Sequence, residues 1–223
     1  MSTLSVTANT ESTLATGYYD TSSWRDGAEA YQGAAGTVAS STTGRKSRVG
    51  VILFSGAGTT LKSKFIKSIT LKITADSSGY GSDTSKTLTI RKSNYQTIDK
   101  SIASKGYVGD ILGTITGIFY GNTKEYTLNS SNNSALFNAL KAYMESGNSC
   151  LVIYNGEHVG DTASYSRNFL SLTKVILTVE YEDNYIYYNN NGTATKCAVY
   201  YNNNGTAVRC AAYYNNNGTA VKV

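Results

Sequence analysis

One small group of side chains in this chain could do acid–base chemistry. Its only histidine, His158, lies beside Glu157 and Asp161 in a glycine-flanked segment. A histidine works as a general base when a positioned partner orients it, and the sequence shows no such partner. The sequence also has no HExxH, GxSxG or P-loop motif. We therefore interpret His158 as a solvated loop residue and predict a protein that is not an enzyme.

The three cysteines, Cys150, Cys197 and Cys210, are the other candidates for chemistry. Their spacing contains no Cys-x-x-Cys pair and histidine is too scarce to complete a ligand set, so no metal and no other cofactor is expected. Cys150 lies in an apolar run and is interpreted as a core filler. Cys197 and Cys210 occupy equivalent repeat positions, where the third copy has Val223, which favours a small apolar role. A cross-strand disulfide between them stays open as an alternative.

The last part of the chain is a repeat. Three copies of Tyr-Tyr-Asn-Asn-Asn-Gly-Thr-Ala begin at Tyr187, Tyr200 and Tyr213, at intervals of 13 residues. Asn-Gly between alternating segments is a strong hairpin signal, and Thr, Val and Tyr suit strands. We predict three turns and four short strands in an up-and-down meander over residues 183–223, separate from a body over residues 1–182.

The predicted register gives this meander an apolar face. With the second turn centred between Asn203 and Asn204, Val199 lies opposite Val208. The apolar face, a candidate protein interface, comprises Cys197, Val199, Tyr201, Val208, Cys210, Tyr214 and Val221. A few strands with a bare apolar face are marginally stable in water. The repeats are therefore expected to dock on a copy of themselves, on the body or on another protein.

The opposite face carries a candidate basic stripe of Lys196, Arg209 and Lys222. The whole chain has a formal net charge of +5. Such a stripe could meet an anionic wall polymer, an acidic partner or nucleic acid. Three charges without base-reading features are a poor nucleic-acid signal, so nucleic acid is not expected as a partner. The alternative interpretation is that these residues are solubilising charges.

The body reads as many short strands. The chain is 40% apolar and 16% charged and contains no proline. One helix is predicted over residues 134–146, with Asn132, Asn133 or Ser134 as its cap and Gly147 at its end. Strands are predicted over residues 4–8, 48–54, 68–74, 87–91, 124–128, 150–154 and 169–181. This pattern predicts an all-β fold, a jelly-roll-like antiparallel β-sandwich with one short helix.

Residues 12–44 are mostly small and polar and are predicted to be loops. Their aromatic residues, Tyr18, Tyr19, Trp24 and Tyr31, are candidate glycan contacts, because such rings offer an apolar face with a polar tip. The competing interpretation is that Trp24 is a packed residue.

Several segments of the body carry a family resemblance. They are residues 31–33, 47–54, 68–73, 135–137, 154–157 and 178–182. They resemble bacteriophage minor structural proteins of Firmicutes and, more distantly, DNRLRE-type jelly-roll domains, which are related to carbohydrate-binding modules. Arg48 and Phe54 match the central-strand pattern of those domains. The Tyr-Tyr-Asn-Asn-Asn-Gly-Thr-Ala repeats are similar to repeats at the ends of phage structural proteins, and more loosely to choline- or glucan-binding modules.

The resemblance implies a non-enzymatic structural protein exposed on a bacteriophage or phage-like particle. A tail fibre, a baseplate appendage and a capsid decoration protein all fit, with the repeats mediating assembly. The expected partners are other virion proteins and copies of the chain itself. The first residues lack a signal peptide and no run of about 20 apolar residues occurs, so we expect assembly in the host cytoplasm, a virion-surface location and no membrane. The alternative is a carbohydrate-binding module that recognises host cell-wall glycan.

Overall fold

The computed structural model describes residues 1–19, 23–35, 46–76, 85–156 and 170–183, and the backbone of six short strands between residues 185 and 222. The strands of the body are β1 Ser2–Ala8, β2 Leu14–Tyr18, β3 Ala30–Ala35, β4 Lys46–Leu53, β5 Lys64–Ala75, β6 Lys86–Ser93, β7 Val108–Ile118, β8 Thr123–Leu128, β9 Cys150–Ile153 and β10 Leu170–Asp183. Its helices are α1 Ala57–Leu61 and α2 Ser134–Glu145.

These strands form the two antiparallel layers of an all-β sandwich. One layer has the strand order β1-β10-β5-β8 and the other has the order β2-β4-β9-β6-β7. Apolar residues of both layers, including Leu71, Ile90 and Val175, face each other around a residual gap of about 10 Å³. The predicted fold class is therefore confirmed.

Strand β3 joins the two layers. Its first half pairs with β10, with Tyr31 opposite Ser171, and its second half pairs with β4, with Gly33 opposite Arg48. The change of partner occurs at Gly33, whose φ of 85° lies in the left-handed region that glycine adopts without strain. The backbone of Tyr31 in β3 passes close to Gly50 of β4. This close approach of the two backbones is possible because Gly50 has no side chain.

The inner faces of the layers alternate in burial as the sequence predicts. Ile69, Leu71 and Ile73 of β5 are buried, and Val175, Leu177 and Val179 of β10 face the same core. The predicted helix is α2, which buries Leu136, Leu140 and Tyr143 together with Phe137 and Met144. Asn133 stands at its N-cap position without a side-chain cap hydrogen bond, and Gly147 follows its end. No helix in the described ranges is long and apolar enough to cross a membrane.

The layer that contains β4 is covered on its outer face as well. Val49, Val51, Val152 and Cys150 form a second cluster there under Tyr107. Burial on both faces explains why β4 reads as a continuous apolar run. Burial also raises the pKa of the Cys150 thiol to about 11, which keeps it a protonated, unreactive thiol at neutral pH. The prediction that Cys150 fills the core is confirmed.

Residues 12–44 are not simply loops, because they contain β2 and β3. Strand β2 was missed because Leu14 to Gly17 are all buried, so apolar and polar residues do not alternate. Strand β3 is built mainly from small residues and pairs with two different strands, β10 and β4. Strand β7 is interrupted by glycines and register shifts, and α1 has only five residues. None of these elements has a clear period, which explains why none was predicted.

The repeats form three β-hairpins. They are β11 Tyr185–Asn190 with β12 Thr193–Ala198, β13 Tyr200–Asn203 with β14 Thr206–Arg209, and β15 Tyr213–Asn216 with β16 Thr219–Lys222. Hairpin repeats are confirmed, whereas the predicted meander of four strands is wrong. The described strands pair within each hairpin and give three separate two-stranded sheets.

The predicted register of the hairpins is also wrong, because each residue pairs with a partner two positions away from the predicted one. Asn203 pairs with Thr206, which leaves Asn204 and Gly205 between the paired positions, so the turn is centred one residue later than predicted. An Asn-Gly pair in this place suits the backbone angles of a two-residue hairpin loop. Val208 therefore lies opposite Tyr201 rather than opposite Val199, which lies outside the described residues.

We expect the body to fold without the repeats. Among the residues whose burial the structure describes, three clusters of buried apolar residues lie between residues 8 and 179, and strand β10 completes its pairing with β5 at Asp183. A chain ending at Asp183 should therefore unfold cooperatively in a thermal scan followed by circular dichroism. A gradual, non-cooperative loss of signal would contradict this expectation.

Candidate functional site

One end of the sandwich gathers polar and aromatic side chains. There β6 begins beside the end of β7, with Lys86 opposite Ile118, and β10 begins beside β3, with Leu170 opposite Gln32. The strand ends that border residues 20–22, 36–45, 77–84 and 157–169 all lie at this end, and those residues are outside the description. Binding residues of β-sandwiches commonly lie at such an end.

Arg48 and Tyr18 form the first half of the site. The register of β2 against β4 places the two residues directly opposite each other. The guanidinium carbon of Arg48 lies 4.2 Å from the centre of the Tyr18 ring, a cation–π contact. Arg48 follows the same alternation as the inward-facing Ile52 and Phe54, so it lies at the mouth of the space between the layers.

Arg25 and Tyr31 form the second half. The backbone N–H of Arg25 donates to the carbonyl of Thr16 at 2.8 Å, which holds this segment along β2. The Thr16 hydroxyl donates to the Glu29 carbonyl and accepts from the Tyr31 backbone N–H at 3.0 Å, which fixes the start of β3. Arg25 then lies 4.8 Å from the centre of the Tyr31 ring, and the Tyr31 hydroxyl donates to the Glu29 carboxylate.

The two guanidinium groups of this arginine–tyrosine cluster, defined as Tyr18, Arg25, Tyr31 and Arg48, keep free donors. Nε and Nη1 of Arg48 and Nε of Arg25 are buried and have no hydrogen-bond partner among the residues that the structure describes. Buried donors without partners are rare in folded proteins and call for an explanation. The cluster can therefore donate hydrogen bonds to an added acceptor.

The charges of the cluster change the pKa of its phenols in opposite directions. Burial by itself would raise the pKa of Tyr18, but the guanidinium groups of Arg48 and Arg25 outweigh it and lower that pKa. Burial and the hydrogen bond to Glu29 raise the pKa of Tyr31. Burial lowers the pKa of Arg48, because the charged form loses hydration. The electrostatic field at Tyr18 is thus positive and favours a negative group.

A cavity of about 130 Å³ lies between the edges of the two layers, beside β7 and β8. Its residues include Phe119, which is 39% exposed, and Lys124, whose ammonium lies 5.3 Å from the centre of the Tyr126 ring. Tyr120, next to Phe119, packs against Tyr31 of the arginine–tyrosine cluster. The β7–β8 connection, part of which lines the cavity, therefore touches the cluster at Tyr31.

The four predicted glycan contacts separate into two groups. Tyr18 and Tyr31 join the arginine–tyrosine cluster, whereas Tyr19 and Trp24 pack on the outer face of the layer that contains β4. Tyr19 stacks on Tyr154 with 4.9 Å between ring centres. Trp24 meets Tyr107 edge-on, and its indole N–H donates to the carbonyl of Ile102 at 2.9 Å. The four rings do not form one platform, and Trp24 is packed.

The other predicted site residues lie in the repeats or outside the description. Cys210 and the group around His158 fall outside the described residues. The basic stripe occupies equivalent register positions, because Lys196, Arg209 and Lys222 lie opposite Tyr187, Tyr200 and Tyr213. In the candidate interface, Cys197 lies opposite Ile186 and Val221 lies opposite Tyr214. In the described ranges, no group of His, Cys, Asp and Glu side chains could hold a metal ion.

Arg25, Glu29 and the cavity residues were not predicted as site residues. The available signal was Arg48, a charge at an inward position of an otherwise apolar strand. Comparison of the chain with models of protein families and with curated proteins finds no match.

Proposed function

We propose that the chain is a non-enzymatic structural protein exposed on a bacteriophage or phage-like particle. The β-sandwich body would be the exposed part, and the hairpin repeats would attach it to other particle components or to copies of itself. A tail fibre, a baseplate appendage or a capsid decoration protein would have this organisation. The sequence resemblance of both parts to phage structural proteins supports the proposal.

The observation that carries this proposal is the identical register of the three hairpins. In each hairpin the first tyrosine of the repeat lies opposite a basic residue, and the second lies opposite residues Thr195, Val208 or Val221. Directly opposite positions of an antiparallel pair lie on one face. The tail therefore presents the same two-residue pattern three times. Repeated short hairpins with unpaired edges are suited to association with other chains.

Recognition of host cell-wall glycan is the alternative function. One specific observation favours it, namely the cavity of about 130 Å³ at the polar and aromatic end of the body. An exposed Phe119 beside polar groups such as Asn122 and Lys124 is a suitable surface for a sugar ring. Both functions hold together if a particle appendage binds the host surface.

The experiment that tests the particle proposal is immunogold labelling of intact particles from the source culture. Antibodies against residues 1–183 should decorate one defined part of each particle, and that part identifies the protein as tail, baseplate or capsid component. The proposal would be refuted if the antibodies detect the protein in the particle-free fraction and leave the particles unlabelled. Binding to a glycan array without particle labelling would favour the alternative.

We also predict that the face with Tyr201 and Val208 mediates association. A Val208→Thr substitution keeps the strand shape but places an unpaired hydroxyl in the contact, which costs about 1–3 kcal/mol of association free energy. Arg209→Ser, the neighbouring change on the opposite face, serves as the matched control. Sedimentation velocity of both full-length variants should show weaker self-association or weaker binding to particle components for Val208→Thr only. Loss of association in Arg209→Ser alone would instead identify the basic stripe as the interface.

A further inference from the structure

We propose that the arginine–tyrosine cluster binds an oxyanion group, a phosphate or a carboxylate, carried by an acidic polymer. The inference goes beyond the particle assignment and does not depend on it. In this proposal, Arg48 and Arg25 bind a negatively charged group. In the glycan alternative above, the cavity at Phe119 binds a neutral sugar ring.

Among the described residues, the mouth of the sandwich carries more positive charge than negative charge. Arg48 and Arg25 bring two positive charges to the cluster, and Glu29 is the carboxylate that touches it among the described residues. The Glu29 carboxylate already accepts a hydrogen bond from the Tyr31 hydroxyl. Arg48 meets the face of the Tyr18 ring, and its side chain forms no ion pair within the described ranges. A buried guanidinium that lacks a carboxylate is costly unless a ligand neutralises it.

The two guanidinium groups also carry hydrogen-bond donors that have no acceptor in the described part of the chain. Nε and Nη1 of Arg48 and Nε of Arg25 lack acceptors among the described residues although all three atoms are buried. Guanidinium N–H groups form their strongest hydrogen bonds with phosphate and carboxylate oxygens. A neutral sugar hydroxyl would satisfy the donors but would leave the charge uncompensated. An oxyanion satisfies both requirements.

The arginine–tyrosine cluster is partly exposed to solvent. Tyr18, Arg25 and Arg48 each keep part of their surface exposed, but the three unused donor atoms are buried, so an oxyanion reaches them when the guanidinium groups turn toward solvent. Lys124, which lines the cavity, lies near the start of β8, at the same end of the sandwich as the cluster. A polymer bound through one oxyanion at Arg48 could continue past this second cation. An extended acidic chain therefore fits the site better than an isolated ion.

The test is isothermal titration of the full chain with three polymers of similar length: poly(glycerol phosphate), polygalacturonate and neutral dextran. We expect binding to at least one of the two acidic polymers and none to dextran. Binding to the first alone identifies phosphate, and binding to the second alone identifies carboxylate. Absence of binding to both acidic polymers, or equal binding to dextran, would overturn the proposal.

Variants separate the site from general electrostatic attraction. Arg48→Gln should weaken binding about tenfold or more, because a charge-assisted contact is lost, and Arg48→Lys should be intermediate. Lys72→Gln removes the same charge from the outer face, where Lys72 pairs with Glu125, and should change affinity less than about twofold. Equal weakening by Lys72→Gln would overturn the site. If Arg48→Gln fails to fold, Arg25→Gln decides the question by the same criterion.

Discussion

Replacing Gly50 by alanine is expected to lower the free energy of unfolding by about 3 kcal/mol. A Cβ atom at this position would lie 2.8 Å from both the backbone N and O of Tyr31 and 2.5 Å from a side-chain carbon of Ile153. The Tyr31 backbone cannot simply move away, because its N–H donates a hydrogen bond to the Thr16 hydroxyl and its strand, β3, joins the two layers. The substitution must therefore disturb the crossing itself.

Urea denaturation of the full chain, followed by the fluorescence of Trp24, measures this effect. Gly106→Ala is the matched control, because the nearest atom to a Cβ there lies 3.5 Å away, an ordinary van der Waals contact. We expect Gly106→Ala to change stability by less than about 1 kcal/mol. Equal stability of the two variants would show that the crossing of β3 over β4 is not as close as described.

The second large effect concerns the hairpin repeats. A chain that ends at Asp183 should fold but should be missing from particles, because all three hairpins follow that residue. The experiment is complementation of a particle-producing strain that lacks the gene, with either the full chain or the shortened chain. Quantitative immunoblotting of density-purified particles should detect only the full chain. Normal incorporation of the shortened chain would move the attachment function from the repeats to the body.

The alternating strands were the part of the fold that the sequence predicted well. In β5 and β10 every second residue enters one core, so the period of two is visible in Ile69, Leu71 and Ile73. Strands β2 and β3 gave no such signal, because buried small residues and a change of strand partner at Gly33 remove the alternation. The hairpins were predicted from Asn-Gly, but counting the turn one residue early shifted the register.

The candidate site was less predictable than the fold. Tyr18 and Tyr31 were singled out for their ring faces, but their environment is set by two arginines that come from different segments. Arg48 could have been recognised, since its spacing from Ile52 and Phe54 places it on the inward face. Arg25 could not, because its position depends on the backbone bond to Thr16 and on the crossing of β3. Such non-local contacts leave no periodic trace in a sequence.

Buried polar groups also connect the site to the fold. Gln32, which is fully buried, donates to the Thr87 carbonyl at 2.6 Å and accepts from the Thr89 N–H at 2.9 Å. These backbone groups lie beyond the end of the short strand β9, which pairs with β6 only at Ile90 to Lys92. The side chain thus replaces a missing strand partner and fixes β3 beside the cluster. The contacts that join the two layers therefore also position the site.

The measurement that tests the central claim most directly is the copy number of this chain in purified particles. Quantitative mass spectrometry should be applied to particles taken through successive density-gradient and size-exclusion steps. A structural component is expected to keep a constant ratio to the major capsid protein at every step. A ratio that falls towards zero as purification proceeds would contradict the assignment of this chain to the particle.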